Sequence, residues 1–302
     1  MIKETSTKGD SIMSIDRLQE KIRKGKNVLM VDMTLCTSAL PPEIANSSAD
    51  RTEKLGQYGK ELLSGLKGIV PAVRFRLSPF ALMGAEGLAL LQGLLKTAAS
   101  MHFYTVVDLP LLLSQSDAAL AAQSVFGDAP LYPCDGVVVS AYPGSDVLKP
   151  FLPYCTENKK DMFLLIRSSN RSASEMQDLL SGSRLVHAAG AELAERLGVD
   201  CMGRCGFSRV GILASACAPE SLRTLRARYP KMFILADGLD YPSGNGRGAS
   251  GCVDRLGHGG AVCVGALVTE SWKQSQDGNY VQTAQEAANR INRNLLTYFR
   301  IL

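Results

Sequence analysis

Eight short apolar runs that alternate with helical patterns predict an α/β fold, a single-domain (β/α)8 TIM barrel. The first observation behind this is the alternation itself, sustained through most of 302 residues, which suits a closed parallel barrel better than an open doubly wound sheet. The second is the makeup of the runs. They are short and almost wholly apolar, as strands buried on both faces require.

Taken in order, the predicted strands are Val28 to Met33, Ile69 to Val73, Phe103 to Val107, Gly136 to Ser140, Met162 to Ile166, Val210 to Ala214, Met232 to Ala236 and Ala261 to Gly265. Helical patterns fall between them at residues 50–66, 84–100, 116–126, 145–158, 173–197 with a break at Gly182, and 219–229, and one more follows at 282–300. Residues 1–13 read as a flexible polar tail, and the barrel is expected to span 14–302. An opening helix near Ile15 to Lys24 is expected to close its bottom. The segment DGLDYPSGNGRGASG, with glycines at 244, 246 and 248, reads as a top-face loop.

Composition narrows the function. A net charge of +4 is small for this length, and basic residues are not interleaved with aromatics, so nucleic acid is not an expected partner. The N-terminus lacks an apolar signal core, and no run approaches the roughly 20 apolar residues of a membrane span, so a soluble, cytoplasmic protein is expected. The eight cysteines are scattered, several in or beside apolar runs, as reduced core cysteines are. Only Cys201 and Cys205 are close, and with no histidine nearby no metal site is assigned.

In a barrel of this kind, catalytic groups sit where strands end. Asp108 follows the third predicted strand directly and is the first candidate. His102 and His258 precede strands and His187 is read as mid-helix, so no histidine is a strong acid–base candidate and no Ser, His, Asp triad can be assembled.

Three blocks, VPAVRFRLSPFALMGAEGLALLQGLL, VVVSAYPGSDVLKPFL and MFLLIRSSNRSASEMQDL, resemble the longer bacterial branch of the orotidine 5'-phosphate decarboxylases. The likeness runs from about Asp16 to about Ser271 in the same order. It implies a (β/α)8 barrel, a homodimer, no cofactor, and a site at the strand C-termini that makes uridine monophosphate. Loss of the carboxylate leaves a carbanion on the pyrimidine ring, so such a site needs a fixed ammonium, with carboxylates to hold it. The family supplies a Lys, Asp, Lys, Asp array.

Carried over position by position, the array is broken. Its strand-two lysine falls on Arg74, its first aspartate on Asp108, its catalytic lysine on Pro110 and its second aspartate on Leu113. The phosphate loops lack the family's glutamine and arginine, and Arg247 is the candidate substitute. Ser169 and Asn170 match the pair that contacts the base, Arg167 ends strand five, and Asp32 lies near the family's ribose aspartate.

Plainer readings stand beside these. Asp108 with Arg74 reads equally as a structural ion pair, Ser169 and Asn170 as caps of the following helix, and the glycine run as an ordinary loop. Three functions follow. The chain is a non-catalytic family barrel that binds a pyrimidine nucleotide or a related small phosphorylated ligand, or acts as a regulatory partner; a working decarboxylase with a rearranged site; or a barrel enzyme of other specificity. The second needs a lysine at the mouth; of Lys149, within a helix, and Lys273, after the last strand, only Lys273 is placed at the top. The third would draw on Asp237, Asp240, Arg247 and Glu270.

Overall fold

The computed structural model describes residues 14–275 and 279–302, so the predicted tail at 1–13 lies outside the described residues. Eight strands close a parallel barrel: β1 Leu29–Asp32, β2 Ala72–Arg76, β3 Tyr104–Asp108, β4 Gly136–Ser140, β5 Asp161–Leu165, β6 Ser208–Ser215, β7 Met232–Asp237 and β8 Gly260–Val264. Each pairs with the next in sequence, and β8 pairs with β1. The fold is the predicted (β/α)8 TIM barrel.

Alternation along the strands puts one set of residues inside the barrel and the other against the helices. Register aligns Asp32 with Arg74, Arg74 with Val106, and Arg76 with Asp108. The interior is filled by large residues set against glycines. A Cβ on Gly136 would lie 2.9 Å from the Tyr104 hydroxyl, and one on Gly211 2.9 Å from the Phe163 ring. The Phe163 and Phe233 rings pack 6.1 Å apart, giving a filled core rather than a pore.

The helix Ser14–Gly25 closes the bottom, as predicted. Arg17 bonds Asp135 and the Phe103 carbonyl, Asp16 accepts from the Cys205 amide, and Gln19 accepts from the Gly259 amide. These partners precede four different strands, so the helix ties their N-terminal ends together. Among the described residues, no helix is long and apolar enough to cross a membrane.

Several expected elements differ, among them the last helix, expected over 282–300, which is Tyr280–Leu295. Strand two, expected at 69–73, runs over 72–76, because Pro71 has no amide to give the ladder and Arg74 and Arg76 beyond it both pair with Asp32 of the neighbouring strand. The helix expected over 145–158 is three short pieces, Ser145–Leu148, Lys149–Phe151 and Leu152–Thr156, interrupted around Pro150 and Pro153. The helix expected over 173–197 is a turn at Ser174–Gln177, a hairpin pairing Leu180–Ser181 with Arg184–Leu185, and a helix Val186–Leu197. Gly182 turns that hairpin at φ +66°, a conformation glycine adopts freely.

Candidate functional site at the barrel mouth

The C-terminal ends of β1, β2, β3 and β7 each deliver a charged residue to the barrel mouth. Arg74 is central. Its guanidinium is 1 % exposed, its Nε and Nη2 donate to the two Asp32 oxygens at 2.5 Å each, and Nη2 also reaches Asp237 at 2.7 Å. Asp108 stands further off, 3.9 Å from Nη1. Arg76, half-exposed, reaches Asp32 at 3.3 Å. The mouth is therefore a closed ionic network of three carboxylates and two guanidiniums.

A buried arginine survives only when its charge is matched. Burial opposes the charge on Arg74, but Asp32 and Asp237 outweigh it and hold the pKa above its ordinary value. The reverse holds at Asp108. Burial pushes its carboxyl up to about 6, and the charges of Arg74 and Arg76 only partly pull it back. Asp32 and Asp237 have the arginine's hydrogen bonds, and Asp108 has only its field.

The structure brings some predicted residues together and separates others. Asp32, Arg74 and Asp108 share the mouth, and Ser169 joins them, buried, with its Oγ 3.4 Å from Asp237 Oδ2. The Asp108–Arg74 ion pair is present but is the loosest contact of the set. Asn170 is exposed and directed away, its Oδ1 accepting from Ser168 Oγ at 2.6 Å. It precedes a short turn without a side-chain capping bond. Arg167 lies two residues beyond β5 and is held by Asp178 through a bidentate pair at 2.9 and 2.8 Å.

The glycine-rich segment contains a helical turn, Gly246–Ala249, where a loop was expected. Asn245 caps it, accepting from Gly248 N at 2.8 Å. Arg247 on that turn is exposed. Asp240 accepts from the amides of Gly265 and Leu267 at 2.6 and 2.9 Å, just after β8. Burial raises its pKa, and those two amide bonds oppose the rise.

Pro110 and Leu113 are exposed on the loop after β3, Leu113 at 74 %. Neither lysine candidate reaches the mouth. Lys149 is exposed in the helical segment after β4, and Lys273 is paired with Glu270 at 2.5 Å. Among the described residues, no lysine is bonded to Asp32, Asp108 or Asp237.

Two residues take places in the structure that their sequence context does not give them. Asp237 was set among loop charges, yet it ends β7 and is a principal partner of Arg74. His187, read as mid-helix, opens the helix Val186–Leu197 and is buried. A strand-end carboxylate was a usable signal for Asp237; nothing local distinguishes His187.

No family model matches the sequence. The chain is 27 % identical over 270 residues to an orotidine 5'-phosphate decarboxylase of Petrotoga mobilis, covering 88 % of this chain and 92 % of that one. It is 24 % identical over 288 residues to the enzyme of that name from Clostridium novyi, covering 94 % and 99 %. The solved structure of Leishmania donovani OMP decarboxylase superposes with a TM-score of 0.71 at 24 % identity, covering 94 % and 99 %. The chain is thus similar along its whole length to enzymes named orotidine 5'-phosphate decarboxylase and shares their (β/α)8 barrel.

Proposed function

We propose that this barrel keeps the family's scaffold and a ligand-binding mouth but does not decarboxylate orotidine 5'-phosphate. The observation that carries this is Arg74. Its guanidinium is already enclosed by Asp32 and Asp237, and among the described residues no lysine ammonium joins them. A guanidinium with a pKa above about 12 is a poor proton donor to a forming carbanion. The positions that the resemblance assigns to the remaining lysine and aspartate hold Pro110 and Leu113, which carry no proton and no charge.

The phosphate side supports the same reading. In such barrels an anion is met by the loops after strands seven and eight, and here Asp240 takes the Gly265 and Leu267 amides for itself. A pyrimidine nucleotide or related phosphorylated ligand would then be held by side chains, with Ser169 toward the ring and the exposed guanidiniums of Arg76 and Arg247 toward the phosphate.

The partner is a second copy of the chain. Support comes from exposed leucines on the top-face segments after β2 and β3 and on the helix Gln115–Phe126: Leu82, Leu111, Leu113 and Leu120 are between 60 and 89 % exposed. Such side chains gain about 1.5–3 kcal/mol each on full burial.

The test is a decarboxylation assay on protein from a host lacking the enzyme, run beside the Petrotoga mobilis relative. Turnover about a hundred- to a thousandfold lower is expected, since removing a group that stabilises developing charge costs about 3–4 kcal/mol. Turnover within tenfold of the relative would overturn the proposal. Calorimetry with uridine monophosphate, with Ser169→Ala as control, tests the binding half.

A further inference from the structure

After β5 and β6, three side chains from separate elements meet: Ser221 is hydrogen-bonded to His187, and Asp178 lies at ion-pair distance from the other ring nitrogen. His187 opens the helix Val186–Leu197, Ser221 lies in the first turn of the helix Pro219–Arg228, and Asp178 follows the turn Ser174–Gln177. Ser221 Oγ is 2.8 Å from His187 Nε2, and His187 Nδ1 is 3.1 Å from Asp178 Oδ1 and 3.0 Å from the Gln177 carbonyl.

Two acceptors around Nδ1 fix the proton there, so the Nε2 lone pair points at Ser221 Oγ. A neutral imidazole so oriented is the arrangement that activates a serine hydroxyl. The imidazole is buried at 4 % exposure, and Ser221 is half-buried. Pro219 opens the serine's helix, and the first backbone bond there runs from Leu222 N to Ala218 O. The Glu220 and Ser221 amides therefore precede the first intrahelical bond, beside the hydroxyl, where an oxyanion would form.

We infer that Ser221, His187 and Asp178 form a nucleophilic site distinct from the barrel mouth, which takes small uncharged carboxylic esters. Exposed Met176 and Leu179 flank Asp178 and offer hydrocarbon to the acyl chain. The Ser221 Oγ attacks the ester carbonyl while its proton passes to His187 Nε2. Collapse of the tetrahedral adduct breaks the ester C–O bond, and the alcohol leaves with that proton. Water then attacks the acyl-serine with the same imidazole as base, releasing the acid. Arg167 competes for the Asp178 carboxylate and holds its pKa below the usual range. The Asp178 carboxylate is thus shared between Arg167 and His187, and slow acylation is the signature to look for.

The full chain is treated with an alkyl fluorophosphonate, in which Oγ–P forms, P–F breaks and the hydroxyl proton goes to His187. The adduct is located by tandem mass spectrometry. The expected result is a label on Ser221 in the wild type, lost in Ser221→Ala and slowed about 100-fold in His187→Ala. The same label should be reduced by prior incubation with p-nitrophenyl butyrate. Folded wild-type protein left unlabelled at Ser221 would overturn the inference, as would a labelling rate unchanged in folded His187→Ala. Decarboxylation of orotidine 5'-phosphate bears on neither outcome.

Discussion

Arg74 shows how a single residue can decide a site. Deep in a barrel its charge is tolerable only because Asp32 and Asp237 meet it, and removing one member of such a set leaves an uncompensated buried charge. Arg74→Met, similar in volume and uncharged, is expected to lower stability by about 3–5 kcal/mol in urea denaturation. The pair Arg74→Met with Asp32→Asn should recover part of that loss. If Arg74→Met alone costs under 1 kcal/mol, the network does not hold the mouth together.

Asp108 gives a pH signature at the same scale. Its folded carboxyl is pushed up to about 6 by burial, whereas an unfolded aspartate titrates near 4. Between those values the folded state holds more protons, so this group's contribution to stability falls as pH rises from about 4 to just above 6 and is flat beyond. Two units correspond to about 3 kcal/mol at most, reduced because a quarter of the side chain is exposed. Asp108→Asn should flatten this slope in denaturation series from pH 4 to 8. An identical slope in the variant would show that Asp108 is not the group responsible.

At the scale of elements, most of the barrel was legible and the failures have local causes. Helices such as Arg51–Leu66 and Gly84–Ser100 fell within a residue of expectation. The first carries a capping box, with Asp50 accepting from Glu53 N at 2.8 Å and Glu53 accepting from Asp50 N at 3.2 Å. Strand two was misplaced because charged residues read as lying beyond a strand, when here they are inside it with partners from other strands. The hairpin at 180–185 replaced helix because its pairing and the positive φ at Gly182 are compact alternatives that composition does not separate from a helix break.

For the whole molecule, the expected homodimer places the exposed leucines beside β3 against a second copy. Light scattering at micromolar concentration should give about twice the monomer mass, and Leu113→Asp together with Leu111→Asp should shift it toward monomer. Monomer in the unaltered protein would count against the leucine face as an interface.

By itself the sequence determined the barrel, because strands buried on both faces leave a local pattern of composition and spacing. Under the resemblance, Pro110 and Leu113 fall at positions where the family has charge, an expectation that rests on residue identity and needs no structure. Only the tertiary structure decided what Arg74 does, because its partners lie 42 and 163 residues away and register alone brings them together. The same reason separates Ser169 from Asn170, neighbours in sequence but not in the site. It also joins Ser221 to His187 across 34 residues, since adjacent helices on a barrel align their first turns at one face.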